Sequence, residues 1–297
     1  MEDFINLNAI SPYEELIAYE LLYSEQDASL KTLNNYFKNN IFPTQVIKDK
    51  YALIEPTKQK EDIQNYIKAK IKSAKFSVMI KGNIQYPKML LDAKYPLELF
   101  YYKGDLNLLD LRCISIVGTR KATPEGLERT EKLTKLLCKN KFTIVSGLAA
   151  GVDTVALKTA IELNQKVIGV IGTPIDEYYP KENKDLQDGI ARNHLLISQV
   201  PFYRYRNQPF TSKKIYFPER NVTMAALSDA TVIVEASDTS GTLTQARACI
   251  DQGRKLFILN SCFENKDISW PEKYLKKGAI RVRVIEDIIT SLDKGNA

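Results

Sequence analysis

The stretch from Arg204 to Asn221, RYRNQPFTSKKIYFPERN, interleaves basic side chains with aromatic rings. Cations attract anionic groups, and an aromatic face can stack on a flat ligand. A flat, negatively charged ligand would suit this stretch, although a solvated loop over a small aromatic cluster has the same composition. The basic residues are Arg204, Arg206, Lys213, Lys214 and Arg220, and the aromatic residues are Tyr205, Phe210, Tyr216 and Phe217.

Glycine and small hydroxyl residues stand just after several short apolar runs. They occur in VGTRKATPEG, SGLAAGVD, GTPIDEYYPKEN and EASDTSGTLTQA. Glycine lets the backbone approach a ligand closely, and a hydroxyl at a helix start lies beside free N–H groups that favour anions. This pattern predicts a phosphate-binding rim, although any one loop also fits a tight strand-to-helix turn. The predicted rim contains Gly118, Thr119, Ser146, Gly147, Gly151, Gly172, Ser240, Gly241 and Thr242.

Arg120 follows the first of these turns directly. Its planar guanidinium could grip a phosphate with two hydrogen bonds, or it could form an ordinary surface salt bridge. The sequence leaves both roles open.

The elements that must position these loops are six short runs rich in β-branched residues, alternating with helix-length segments. The runs are CISIVG, FTIVSG, KVIGVIG, LLISQ, ATVIVEA and KLFILN. Runs that are apolar on both faces indicate parallel strands covered by helices on each side. We therefore predict an α/β fold with a doubly wound, Rossmann-like, mostly parallel sheet, whose ligands bind outside the carboxyl ends of the strands.

The chain divides into three predicted parts. Residues 1–76 show apolar residues at helical spacing and predict a small helical domain. Residues 77–110 hold short runs such as SVMI and predict a linker with lead-in strands. Residues 111–297 form the predicted ligand-binding domain.

Composition excludes several classes of protein. The four cysteines form no CxxC pair and the chain has one histidine, His194, which argues against metal sites and imidazole-based catalysis. Neither GxxxxGK[ST] nor GxGxxG after the first run is present, so no nucleotide cofactor is expected. The net charge of +6 permits nucleic-acid contact. Without a signal peptide or membrane span, we expect a cytoplasmic protein.

Five ordered motifs give a specific resemblance. ISIVGTRKATPEG, FTIVSGLAAGVD, YYPKEN, FPERN and VIVEASDTSGTLTQARACIDQGRKLF resemble, in order and spacing, the motifs of the DNA-processing protein family DprA (Smf). The resemblance implies an extended Rossmann fold that binds single-stranded DNA without catalysis. It also implies a homodimer that protects DNA and helps to load the recombinase RecA during natural transformation.

The resemblance assigns roles to individual residues. Gly118, Thr119 and Arg120 match the family turn that contacts the DNA backbone, and Lys214 matches the basic residue ahead of a Phe-Pro-x-Arg-Asn motif. We expect lysine and arginine to bind phosphates and an aromatic ring to stack on an unpaired base. The DNA-binding residues predicted in this segment are Lys213, Lys214, Phe217, Arg220 and Asn221.

Some positions depart from the family pattern. Val222 and Thr239 stand where the family usually has cations, and Leu157 replaces a common histidine. We also expect no C-terminal winged-helix domain.

The alternative is a nucleotide-binding sensor of the related SLOG group, in a defence or stress pathway. Hydrolases of that superfamily carry a glutamate where this chain has Gln245, which cannot act as a general base. Glu235 is a carboxylate near the same rim, for which we expect a structural role. The sequence therefore favours a protein without hydrolase activity and leaves the choice between DNA and a small nucleotide open.

Overall fold

This computed structural model describes residues 10–38, 42–50 and 58–293, and a single nine-stranded sheet lies at its centre. The strands are β1 (Ser77–Ile80), β2 (Leu99–Gly104), β3 (Cys113–Val117), β4 (Thr143–Ser146), β5 (Val167–Ile171), β6 (Leu195–Ser198), β7 (Ala230–Ile233), β8 (Lys255–Leu259) and β9 (Ile280–Val282).

Helices precede the sheet and cover both of its faces. They are α1 (Pro12–Tyr23), α2 (Leu30–Asn34), α3 (Pro43–Lys50), α4 (Lys58–Ala74), α5 (Lys88–Leu91), α6 (Pro124–Lys139), α7 (Val152–Glu162), α8 (Lys184–Asn193), α9 (Phe202–Asn207), α10 (Tyr216–Ala226), α11 (Thr242–Asp251), α12 (Asn260–Glu264), α13 (Trp270–Leu275) and α14 (Ile285–Asp293). Short 3-10 helices cover Leu106–Asp110, Lys181–Asn183 and Ser212–Ile215.

The strand order is β1-β2-β6-β5-β4-β3-β7-β8-β9. Strands β3 to β9 pair in parallel, whereas β1 and β2 add an antiparallel edge beside β6. The predicted fold class is confirmed, and the six apolar runs are β3 to β8. The order reverses at β3, which pairs with β4 on one side and β7 on the other. Ligands of doubly wound sheets bind at such a reversal.

The N-terminal helices share apolar contacts with the sheet. Phe76, just after α4, packs its ring 5.6 Å from that of Tyr101 on β2, and Tyr101 lies 5.0 Å from Phe202 at the start of α9. Leu16 and Leu22 of α1 belong to the same buried cluster. Contacts therefore cross the boundaries predicted near residues 76 and 110, and the division into domains stays a prediction.

One buried carboxylate joins these layers. Glu20 of α1 is inaccessible to solvent and accepts hydrogen bonds from the Tyr101 hydroxyl at 2.6 Å and the Phe202 and Tyr203 amides at 2.9 and 3.0 Å. Burial raises the pKa of Glu20, and the three hydrogen bonds oppose that shift. Because two of the donors are the first amides of α9, this side chain fixes where α9 begins.

Arg204 of α9 makes the reciprocal contact. Its guanidinium donates to the carbonyl oxygens of Tyr23, Glu25 and Gln26, which lie at the C-terminal end of α1 and just beyond it, at 2.9, 2.7 and 3.1 Å. A cation is favoured at a helix C-terminus by the unpaired carbonyls there. The C-terminal end of α1 and the first turn of α9 are therefore joined by hydrogen bonds through side chains of both helices.

We expect Glu20→Ala to lower the free energy of unfolding by about 3–5 kcal/mol, because it leaves three buried donors without an acceptor. Urea unfolding followed by circular dichroism measures this change. Glu162→Ala, at the exposed end of α7, is the control and should change the free energy of unfolding by less than about 0.5 kcal/mol. Equal stability of the two variants would contradict the role given to Glu20.

Candidate nucleic-acid interface

A cavity of about 370 Å³ opens at the sheet reversal, beyond the carboxyl ends of β3, β4 and β7. Its walls are the turns after β3 and β4, the first turns of α10, and the loop that leads into α11. Nine of the residues predicted to bind DNA line it: Gly118, Thr119, Arg120, Phe217, Arg220, Asn221, Ser240, Gly241 and Thr242.

The turn after β3 is held from two sides. The Thr119 amide donates to the Glu235 carbonyl at 2.8 Å, and the Thr242 hydroxyl donates to the Gly118 carbonyl at 3.0 Å. A Cβ atom on Gly118 would lie 2.5 Å from Val152 Cγ2, so this position has no room for a side chain. The turn is consequently rigid where it presents Arg120 to solvent.

Arg120 lies over two aromatic rings at the mouth of the cavity. Its guanidinium carbon is 5.5 Å from the Phe217 ring centroid and 5.7 Å from that of Tyr179, and the two centroids are 5.1 Å apart. Arg120 forms no ion pair with any residue that the structure describes, so the salt bridge considered from the sequence does not occur there. A cation held over aromatic faces keeps its charge available to a ligand.

Arg220 lies in the floor of the cavity and is 5% exposed. One guanidinium nitrogen donates to the carbonyls of Gly147 and Val170, the latter at 2.8 Å, at the ends of β4 and β5. Its Nε donates to Asn221 Oδ1 at 3.0 Å. Burial lowers the pKa of Arg220, and nearby Asp153 opposes that shift. Much of this side chain therefore ties strands together.

The negative charge of Asp153 offsets the positive charge of the buried Arg220. It is buried at the start of α7, and its Oδ2 accepts from the Gly147 amide at 3.1 Å. Burial raises the pKa of Asp153, while the Arg220 guanidinium opposes that shift. Asp153 carries no signal of this role in the sequence, because a carboxylate in the first helical turn is common for the helix dipole alone.

The other predicted residues lie outside the cavity. Ser146 is buried and donates to the Ile116 carbonyl at 2.7 Å, joining β4 to β3. Gly147 lies beneath the floor against Arg220. Lys213 and Lys214 lie on the 3-10 turn before α10, where Lys214 is exposed and Lys213 is 4.3 Å from the Tyr205 ring centroid.

The start of α11 differs from the expectation of free amides. Thr242 donates its amide to Ser240 Oγ at 3.2 Å, and the next two amides donate to the carbonyls of Ser240 and Gly241, both at 3.1 Å. These short-range partners leave the helix dipole, rather than unpaired N–H groups, to attract an anion. The expectation was wrong here because this loop satisfies the helix start internally.

Tyr179 is the main candidate residue that the sequence did not indicate. It belongs to YYPKEN, which contributed to the family resemblance but received no role of its own. The side chain is 43% exposed, and its ring lies beside that of Phe217, so the two rings form one aromatic surface. Its position in a third loop, after β5, left no local signal that it would meet Phe217.

The carboxylate and amide weighed for hydrolysis have structural environments. Glu235 accepts from the Thr123 amide at 3.1 Å and the Thr123 hydroxyl at 2.7 Å, and Arg129 lies 3.6 Å away. The expected structural role of Glu235 agrees with these contacts. Gln245 lines the cavity and donates to Thr231 Oγ1 at 3.3 Å, and its Oε1 lacks a hydrogen-bond partner among the described residues.

None of the helices that the structure describes is long and apolar enough to cross a membrane. Within those same residues, no cluster of three or more histidine, cysteine or acidic side chains is arranged to hold a metal ion. The four cysteines are buried and unpaired.

Comparisons with known proteins match most of this chain. Residues 77–293 match the sequence model of the family described as DNA recombination-mediator protein A. The DNA processing protein DprA of Bacillus subtilis is 35% identical over 214 residues, covering 71% of this chain and 70% of that protein. DprA of Streptococcus pneumoniae is 33% identical over 213 residues, covering 69% of this chain and 73% of that protein.

Solved structures agree with these sequence matches. The X-ray structure of DprA from Streptococcus pneumoniae gives a TM-score of 0.70 at 28% identity, covering 95% of this chain and 98% of that chain. DNA processing protein A from Helicobacter pylori, whose structure addresses its single-stranded DNA binding mode, gives a TM-score of 0.62 at 31% identity. That match covers 74% of this chain and 96% of the Helicobacter chain.

We expect Gly147→Ala to destabilise the protein by about 1–3 kcal/mol, because the added methyl group overlaps the Arg220 guanidinium and lies 2.7 Å from Asp153 Oδ2. Gly189→Ala is a matched control on α8, where a Cβ atom meets nothing within 4 Å. Alanine in a helix interior should instead stabilise by up to about 1 kcal/mol. Urea unfolding of both variants decides the matter, and a neutral Gly147→Ala would refute the packing described here.

Proposed function

This chain belongs to the DNA recombination-mediator protein A family, and we propose that it binds single-stranded DNA, without catalysis, across the cavity at the sheet reversal. The observation that carries the proposal is Arg120 lying over the paired rings of Phe217 and Tyr179. This arrangement combines a phosphate-binding cation with an exposed aromatic surface, the two groups that single-strand binding uses.

The proposed complex uses each wall of the cavity differently. Arg120 and Lys214 neutralise backbone phosphates at the exposed rim. Phe217 and Tyr179 stack on an unpaired base, which a duplex would keep in its own stack. Arg220 holds the ends of β4 and β5 beneath the bound strand. Binding depends little on sequence, because every base offers a face for stacking.

Membership of the family supports a wider role. We propose that the bound strand is protected and passed to a recombinase of the RecA type, and that two copies of the chain act together as a homodimer. A dimer would place two such surfaces on one assembly and raise the affinity for strands long enough to reach both. Light scattering across micromolar concentrations tests the dimer, and a monomer throughout would remove it.

A nucleotide sensor is the second candidate. Its support is the cavity volume, which lies within the range of about 300–1,000 Å³ typical of small-molecule sites, together with the unpartnered Gln245 Oε1 on the cavity wall. Titrating one preparation with an oligonucleotide and with mononucleotides separates the two. Tight mononucleotide binding without DNA binding would select the sensor, and release of free base, abolished by Glu235→Gln, would make the protein an enzyme.

We expect Arg120→Ala and Lys214→Ala each to weaken binding of a fluorescent oligothymidylate. Each variant should also make the slope of log affinity against log salt shallower by about 0.7, since one phosphate contact is lost. Lys139→Ala is the control, because this exposed lysine ends a 16-residue helix about 24 Å from the turn that carries Arg120. Slopes equal to that of the wild type in both variants would disprove the phosphate assignment.

We expect Phe217→Ala to weaken oligothymidylate binding by about 1–3 kcal/mol, the contribution of one stacked base, while Phe217→Tyr keeps most of the affinity. Fluorescence anisotropy at fixed salt measures both variants. A duplex of equal length should bind the wild type more weakly than the single strand. If Phe217→Ala and the wild type bind the single strand equally, stacking has no part in recognition.

A further inference from the structure

A second cavity, of about 290 Å³, lies where α4 meets α9 and the loop after β5, and we call it the junction cavity. Four aromatic side chains line it: Tyr66, Phe202, Tyr205 and Phe210. Three basic side chains, Lys70, Arg206 and Lys213, share the lining. The wall therefore combines the same two kinds of group as the first cavity, on residues that the proposed function leaves unused.

Two of these cations lie over aromatic rings. The Arg206 guanidinium is 4.8 Å from the Tyr66 ring centroid, and Lys213 Nζ is 4.3 Å from that of Tyr205. Neither forms an ion pair with a residue that the structure describes. Both charges are therefore available to an anionic ligand, as is that of Arg120 in the first cavity.

The acidic residues of the wall do not cancel this charge. Asp176 is paired with Lys70, with Nζ and Oδ2 2.5 Å apart, so those two charges neutralise each other. Among the remaining charged residues of the lining, one carboxylate, Glu177, is outnumbered by Arg206 and Lys213. The junction cavity keeps an excess of positive charge, which complements a phosphate backbone.

Phe210 points to what binds there. Its side chain is 73% exposed on the turn between α9 and the 3-10 helix Ser212–Ile215, beside the two available cations. A phenylalanine ring exposed to water lacks the favourable free energy of apolar burial. A base stacked on the ring would remove much of that apolar area from water. The neighbouring charges favour a ligand that carries both flat rings and phosphates.

Two segments of the chain connect the junction cavity to the first cavity. Lys213 and Phe217 are four residues apart in continuous helical backbone, which places them about 6–8 Å apart along the chain axis. The loop after β5 also serves both cavities, since Glu177 lines the junction cavity and Tyr179 contacts Phe217. Phe210 lines the junction cavity together with Lys213 and Glu177, on the side that these two segments form.

We propose that the junction cavity is a second stacking site for the same DNA strand, with Phe210 holding an unpaired base and Arg206 and Lys213 contacting the flanking phosphates. This inference rests on the proposed function, because it extends the path of the same ligand. It assigns a DNA-binding role to the surface where the N-terminal helix α4 meets the sheet.

A strand-length series tests the second site. Oligothymidylates of 4 to 20 nucleotides are titrated against the wild type, Phe210→Ala and Phe210→Tyr by fluorescence anisotropy at one salt concentration. Phe210→Ala should match the wild type on the shortest strands that bind and lose about 5- to 150-fold on the longest, while Phe210→Tyr keeps the wild-type dependence on length. Ile84→Ala, which removes a fully exposed apolar side chain elsewhere, is the control and should bind every strand like the wild type.

The outcomes separate this inference from the function on which it rests. Wild-type protein that binds no strand of any length overturns the proposed function and the second site with it. Wild-type binding that Phe217→Ala weakens, with Phe210→Ala unchanged at all lengths, overturns the second site alone. Equal loss on the shortest and longest strands would place Phe210 in the first site and likewise overturn the inference.

Discussion

The burial of Glu20 is the constraint on which the position of the candidate binding surface depends. A carboxylate removed from water must be fully hydrogen-bonded, and here its donors come from the second strand and from the first turn of α9. The chain after that turn carries Phe210, Lys213, Lys214 and Phe217. A contact made by the N-terminal helix thus sets the starting point of the segment proposed to meet DNA.

The N-terminal helices also hold the segment between α9 and α10 in place. Arg204 closes the end of α1, and Glu219 at the start of α10 accepts from the Leu30 amide of α2 at 2.9 Å. The segment between α9 and α10 is therefore fastened to the N-terminal helices at both of its ends. Helices α1 and α2 therefore support the segment between α9 and α10. Another N-terminal helix, α4, contributes Tyr66 to the junction cavity.

Charge at the candidate site is divided by depth. Arg220 and Asp153 lie buried on either side of Gly147, where they fix the ends of the central strands. Arg120 and Lys214 are exposed. The buried guanidinium, bonded to carbonyls and close to the Asp153 carboxylate, holds the floor in place, while exposed cations can follow a flexible backbone. This division suits a ligand whose phosphates recur along a chain.

The amino-acid sequence alone predicted the six central strands and the edge of the sheet at which the candidate site lies. Six apolar runs are six strands, because burial on both faces leaves a continuous signal over neighbouring residues. It also predicted most residues of the first cavity, since glycine and hydroxyl residues after strands mark the turns at the carboxyl edge. Both conclusions depend on patterns that span only a few residues.

The contacts of each cation could be seen only in the tertiary structure. Nothing in the stretch from Arg204 to Asn221 distinguishes its basic residues from one another. In the structure, Arg204 donates to a carbonyl at the end of α1, Lys213 lies over an aromatic ring, and Arg220 supports the cavity floor. The partners responsible are distant in the chain: 73 residues separate Arg220 from Gly147, and 182 separate Phe202 from Glu20. Local periodicity carries no information about contacts at that range, because they arise from how the layers pack.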